Sequence, residues 1–83
     1  MRTVLFHAAS KGFPIDWSDF LRETRDLDVP AEADQLADNV WLLPLPECES
    51  FWETLKGVAA RKPSSIAARS LEVDHGAPWL QHQ

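Results

Sequence analysis

The sequence predicts a single α+β domain over residues 1–83, with six elements in the order β-α-β-β-α-β. Three observations lead to this prediction. Apolar runs at residues 3–9 and 40–45 leave neither face of a strand polar, which is typical of strands covered on both sides. Two longer segments repeat apolar residues at helical spacing. Prolines and turn residues separate these segments and keep each of them short.

The first strand is predicted at about Thr3–Ala9, and the first helix follows after the loop at residues 10–14. We expect Asp16 to be the N-cap of that helix, because its carboxylate can accept hydrogen bonds from the free N–H groups of the first turn. Ile15 and Phe20 stand at the positions of a hydrophobic staple. The two faces of the strand are Val4, Phe6 and Ala8, and Leu5, His7 and Ala9.

The next two strands are predicted at about Ala33–Ala37 and Val40–Leu45, joined by the turn dipeptide Asp38-Asn39. A second amphipathic helix is predicted at about Glu47–Arg61. The last strand, at about Ile66–Val73, contains an arginine and a glutamate and is expected at an edge of the sheet.

Right-handed crossovers place the first and third strands in the centre of the sheet. The result is a ferredoxin-like fold, a four-stranded antiparallel sheet with two helices on one face. Because two helices cannot cover both faces, the second apolar face indicates an interface, and a second copy in a two-fold dimer is its simplest cover. We assign to this dimer interface Phe6, Trp41, Leu43, Trp79 and Leu80.

The segments DNVWLLPLP at residues 38–46 and GAPWL at residues 76–80 resemble those of a group of small ferredoxin-like proteins. This group includes the dimeric CRISPR-adaptation nucleases (the second CRISPR-associated protein family) and the antitoxin endoribonucleases of type V toxin–antitoxin systems. The resemblance implies a homodimer. The nucleases place an aspartate, their proposed metal ligand, at the end of the first strand, but residues 1–15 of this chain contain no carboxylate side chain. The metal-dependent activity therefore does not transfer, and no metal or cofactor is predicted.

The candidate chemical groups each have a structural alternative. His7 can act as an acid or base near neutral pH, but a lone histidine on an apolar strand is more often a structural residue, and we interpret it so. Lys11, Arg61 and Lys62 are weak candidates for nucleic-acid binding, although cations also stabilise the C-terminus of a helix. Cys48 lies on the apolar stripe of the second helix. The spacing of Cys48 and the three histidines matches no zinc motif.

The net charge is −5, and residues 16–53 alone carry −9. This acidic segment disfavours a general affinity for phosphate backbones. With one cysteine and no apolar run near the ~20 residues of a membrane span, the sequence predicts a soluble cytoplasmic protein without a membrane partner. The leading hypothesis is a non-catalytic homodimer that binds another macromolecule, either protein or nucleic acid. The alternatives are a diverged metal-independent ribonuclease or antitoxin, and an acidic nucleic-acid mimic of phage or mobile-element origin that inhibits a basic protein.

Overall fold

The computed structural model describes residues 2–73 and has the predicted order of elements. The four strands are β1 (Arg2–Ser10), β2 (Asp34–Ala37), β3 (Val40–Leu45) and β4 (Ile66–Val73). The two helices are α1 (Pro14–Arg25) and α2 (Glu49–Ala60).

The strands form one antiparallel sheet in the order β2-β3-β1-β4. From the other edge this is β4-β1-β3-β2, the order that two split crossovers produce, since each crossover leaves room for one strand between the two it joins. The ferredoxin-like prediction is confirmed, with β1 and β3 central and β4 at an edge.

Both helices cover the same face of this sheet. Alternate residues of the central strands are buried there, and they pack against α1 through Phe20 and against α2 through Leu55 and Val58. The strand residues of this core are Phe6, Ala8, Trp41, Leu43 and Ile66. The rings of Phe6 and Trp41 lie 6.0 Å apart, centroid to centroid, in a tilted pair that fills the middle of the layer.

This arrangement corrects three of the predicted interface residues. Phe6 and Trp41 are each 1% exposed and Leu43 is 0% exposed, so their side chains are inside the domain's own core and cannot contact a second copy. The prediction placed them on the wrong face, because both faces of these strands are apolar and their alternation does not tell which one the helices take. Trp79 and Leu80 lie outside the described residues.

The start of α1 also differs from the prediction. The helix begins at Pro14 after Phe13, whose backbone is extended and makes no side-chain cap. Proline fits the first turn because it has no N–H to leave unpaired and its φ angle is already helical. Asp16 is therefore inside the first turn, and Ile15, 77% exposed, makes no staple.

The sheet register is held by hydrogen bonds at the ends of the central strands. The Asp38-Asn39 turn joins β2 to β3 as predicted, and the Asn39 side-chain amide donates to the carbonyl of Ala8 over 2.8 Å. The backbone N–H of Ala8 donates to the carbonyl of Asn39 over 3.0 Å. At the other side of β1, the N–H of Lys11 donates to the carbonyl of Ser65 over 2.8 Å.

Replacing Leu55 by alanine tests the core directly. Leu55 is 0% exposed at the centre of α2, and alanine keeps the helix while leaving a cavity. We expect Leu55→Ala to lower the free energy of unfolding by about 2–5 kcal/mol in urea denaturation. The control, Ile15→Ala on an exposed side chain, is expected to stay within about 0.5 kcal/mol of the wild type. Equal effects of the two substitutions would contradict this core.

Candidate functional site

The sheet face opposite the helices, named here the open face, presents apolar side chains from the central strands and β4. Residues paired directly across antiparallel strands point to the same face. The pairs Leu5–Leu42 and Leu5–Leu71 therefore place a row of leucines across three strands. Leu71 is 55% exposed, while Leu5 and Leu42 are half-buried. The other apolar members are Ala9, Val40, Pro44, Ala67 and Val73.

Two charged side chains stand on the described part of the open face, one at each edge. Asp34 on β2 pairs with Leu42, so it ends the leucine row. Arg69 on β4 pairs with His7, one row further along the strands. Both charged side chains are exposed. The face therefore has an apolar centre, a negative edge and a positive edge.

His7 lies in the middle of the open face. It is half-buried, with Val40 on one side and Arg69 on the other. Its imidazole makes no hydrogen bond to any residue between 2 and 73. Its cross-strand partners in the described sheet, Val40 and Arg69, carry no carboxylate.

The three candidate nucleic-acid-binding residues lie at one end of the domain, beyond the C-terminal end of β1 and of α2. Carboxylates hold two of them. The Lys62 ammonium is 3.1 Å from an oxygen of Asp16, and a guanidinium nitrogen of Arg61 is 2.8 Å from an oxygen of Glu23. The Lys11 ammonium donates to the carbonyl of Pro63 over 2.9 Å. The sequence reasoning named these cations separately, and it missed the acids of α1 that neutralise Lys62 and Arg61.

Asp16 is the centre of this charged cluster. The Ser65 hydroxyl and the Lys62 ammonium both donate to its carboxylate. The hydrogen bond from Ser65, followed by that from Lys62, holds the pKa of Asp16 below its ordinary value of 3.8. The bonds to Asp16 and then to Asp19 raise the pKa of Lys62 above its ordinary 10.5. These bonds join α1 to the turn before β4, which gives the cluster a structural role.

The sulfur and imidazole groups do not form a metal site in the described part of the chain. Cys48 is 0% exposed in the core, and burial, with smaller effects from the charges of Glu32 and Glu47, raises the pKa of its thiol. Within residues 2–73, no three His, Cys, Asp or Glu side chains lie close enough together to hold a metal ion. His75 and His82 lie outside the described residues.

Sequence reasoning missed the residues that form the open face, except His7. The available signal was side-chain volume: the bulkier residues of β1 and β3, Phe6 and Trp41, fill the wide space beneath the helices. The smaller Leu5 and Val40 are left on the other face. A second missed feature is a groove beside β4, for which the sequence carries no local signal.

Comparisons with protein families, with curated proteins and with solved structures give no match. The expected relation to CRISPR-adaptation nucleases and type V antitoxins therefore gains no support from them. No helix within the described residues is both long and apolar enough to cross a membrane.

The charged cluster predicts a pH-dependent contribution to stability. Because the pKa of Asp16 is lowered in the folded state, its contribution is complete above its unfolded value and is lost as the pH falls through the folded value. For Lys62 the pKa is raised, so its contribution is complete below 10.5 and is lost as the pH rises through the folded value. Asp16→Asn should therefore destabilise the protein most at neutral pH, and the difference from wild type should shrink in acid below 3.8 and in strong alkali.

Urea denaturation across the pH range measures this difference. Asp28→Asn, at an exposed loop carboxylate that makes no ion pair to the other described residues, is the matched control. We expect its effect to be small at every pH. A destabilisation by Asp16→Asn that stays constant into strong acid would contradict the assigned hydrogen bonds.

Proposed function

We propose that this protein is a non-catalytic homodimer that acts by binding another macromolecule, and that the open face is its dimer surface. The supporting observation is the leucine row of the open face, which the two helices leave uncovered. A domain of this length buries only roughly 60% of the surface of its unfolded chain, so covering such a face adds considerably to stability. Since the comparisons give no family, the proposal rests on this surface.

The charges at the two edges favour a second copy as the cover. In a face-to-face dimer with its two-fold axis parallel to the strands, β4 of each subunit lies over β2 of the other. Arg69 then approaches the partner's Asp34, because their rows differ by two residues along the strands. That offset of about 7 Å, with about 10 Å between the stacked sheets, separates the two Cα atoms by about 12 Å, which the extended arginine and the aspartate side chain span together. The face is thus complementary to itself in charge as well as apolar at its centre.

The absence of a proton-transfer partner beside His7 supports a binding role over catalysis within the described residues. The diverged-ribonuclease alternative needs His7, Lys11 or the basic residues Arg61 and Lys62 to do the work. Arg61 and Lys62, which follow α2, form salt bridges with carboxylates of α1. His7 lies elsewhere, in the middle of the open face. For the acidic-mimic alternative, Asp16, Asp19 and Glu23 are paired with cations, whereas most of the other carboxylates of residues 16–53 form no salt bridge to the described residues.

A charge on the open face should separate the subunits. Leu71 is 55% exposed, so Leu71→Lys is compatible with the folded subunit but places an ammonium in the proposed interface. We expect wild-type protein to sediment as a dimer at high micromolar concentration and Leu71→Lys to sediment as a monomer. Ile15→Lys, at an exposed apolar residue of α1 away from the open face, should leave the dimer unchanged. A wild-type protein that is monomeric at that concentration would refute the proposed dimer.

A charge exchange tests the orientation of the subunits. Arg69→Asp alone should weaken the dimer, because it places two carboxylates near each other at each edge. The double variant Arg69→Asp with Asp34→Arg should restore the wild-type dissociation constant, measured by sedimentation equilibrium. A recovered coupling of about 1 kcal/mol is typical of exposed ion pairs. If the double variant weakens the dimer by as much as the effects of Arg69→Asp and Asp34→Arg added together, the two-fold axis does not run parallel to the strands.

A further inference from the structure

A groove of about 500 Å³ lies between α2 and β4. Residues 66–70, five in succession, line it. Because successive side chains of a strand point to opposite faces, a groove on one face would meet only alternate residues. The groove therefore reaches the backbone of β4, and Phe6 of β1 lines it from the helix side of the sheet. Lys56, Ala59 and Ala60 of α2 form the opposite wall.

Within residues 2–73, the backbone of β4 has hydrogen-bonding groups that no other described strand pairs. The bond from the N–H of Lys11 to the carbonyl of Ser65 fixes which residues are hydrogen-bonded to β1. Since bonded and non-bonded pairs alternate in an antiparallel ladder, the odd-numbered residues of β4 bond to β1. Ala68 and Ser70 therefore direct their N–H and C=O groups outward, away from β1. In the described sheet no strand lies beyond them.

The two edges of the sheet differ in how they are protected. The β2 edge is only four residues long and has a register shift between Gln35 and Ala37. The β4 edge is eight residues long and pairs with β1 without such a shift. Short or irregular edges prevent strand addition, whereas a long regular edge permits it. Small residues at the groove, Ala67 and Ala68, leave room for an incoming backbone.

The groove is cationic although the protein has a net charge of −5. Its lining contains Lys11, Lys56 and Arg69 and no carboxylate. Lys56 lies 3.7 Å from the centroid of the Trp52 ring and 2.7 Å from a carboxylate oxygen of Glu53, while Lys11 bonds only to a neutral carbonyl. Arg69 forms no salt bridge to the residues that the structure describes. An occupant with negative charges is therefore favoured.

We propose that this groove binds an extended, acidic peptide segment of a partner protein, which adds to β4 as a fifth strand. This rests on the macromolecule-binding role proposed above and names the class of partner. A peptide backbone supplies the alternating donors and acceptors that Ala68 and Ser70 require, and a nucleic acid does not. Lys56 stands on the helix side of the edge and Arg69 on the open side. Two adjacent acidic residues of the docked strand, pointing to opposite faces, reach one cation each.

Fluorescence anisotropy with synthetic peptides tests the proposal. The probe is a labelled peptide of alternating valine and threonine with two central glutamates, and its control has two central lysines. We expect the acidic peptide to bind, and the basic peptide to bind at least about tenfold more weakly, which corresponds to the loss of one favourable charge contact. Lys56→Glu and Arg69→Glu should each lower the affinity for the acidic peptide by a similar factor. Ile15→Glu, at an exposed residue outside the groove, should not.

N-methylation of the peptide tests strand addition itself. Methyl groups on alternate amides of the acidic peptide remove the donors that face β4, and the same number of methyl groups on the other amides leave those donors intact. We expect the first set to abolish binding and the second to preserve it, since only one edge of the docked strand meets the protein. Equal effects of both sets would overturn strand addition.

The remaining outcomes separate this inference from the proposed dimer. A protein that sediments as a dimer but binds neither peptide retains the dimer and refutes the groove. A monomer that binds the acidic peptide supports the groove and refutes the dimer. Tighter binding of a single-stranded oligothymidine than of the acidic peptide would assign the groove to nucleic acid and overturn the proposal. Self-association that Lys56→Glu abolishes, without peptide binding, would assign the groove to a second copy and also overturn it.

Discussion

The structure depends on one mismatch, between two apolar faces of a sheet and helices that cover only one of them. The central strands β1 and β3 present Phe6 and Trp41 to the helices, and Leu5 and Leu42 to the other side. The first pair is buried inside the domain, at roughly 25 cal/mol for each Å² of apolar surface removed from water. The second pair is half-buried, and the rest of its apolar surface gains the same term only when something else covers it. The proposed dimer follows from this difference between the faces.

The register of the sheet decides which residues are on each face, and it is fixed at the strand ends. A slip of one residue would move Phe6 to the open face and Leu5 into the core. The bonds between Asn39 and Ala8 oppose such a slip on one side of β1, and the bond from Lys11 to Ser65 opposes it on the other. The same bond at Ser65 determines that Ala68 and Ser70 turn their backbone groups outward. Core, open face and free edge are therefore set together by a few turn residues.

The order of elements and the bounds of β4 were predictable because they depend on the local periodicity of apolar residues. The central place of β1 and β3 then followed from that order. The face of the sheet that the helices cover was not predictable. Both faces of β1 and β3 are apolar, so the alternation of side chains does not distinguish one face from the other. The role of Asp16 was missed for a different reason. A local rule makes it an N-cap, but Ser65 and Lys62, distant in sequence, occupy its carboxylate in the folded chain. The groove beside β4 likewise depends on long-range packing of α2, which no local pattern reports.

The two proposed surfaces are compatible in one assembly. A two-fold axis parallel to the strands places the open faces together, with each β4 over the partner's β2. The groove is bounded by α2, on the opposite side of the sheet, and by the outer edge of β4, which a second sheet stacked about 10 Å away does not occupy. Each subunit then keeps its cationic groove free, one at either end of the paired sheets. Arg69 is the charged residue named for both surfaces, so its charge couples them: an acid docked beside β4 competes with the partner's Asp34 for the same guanidinium.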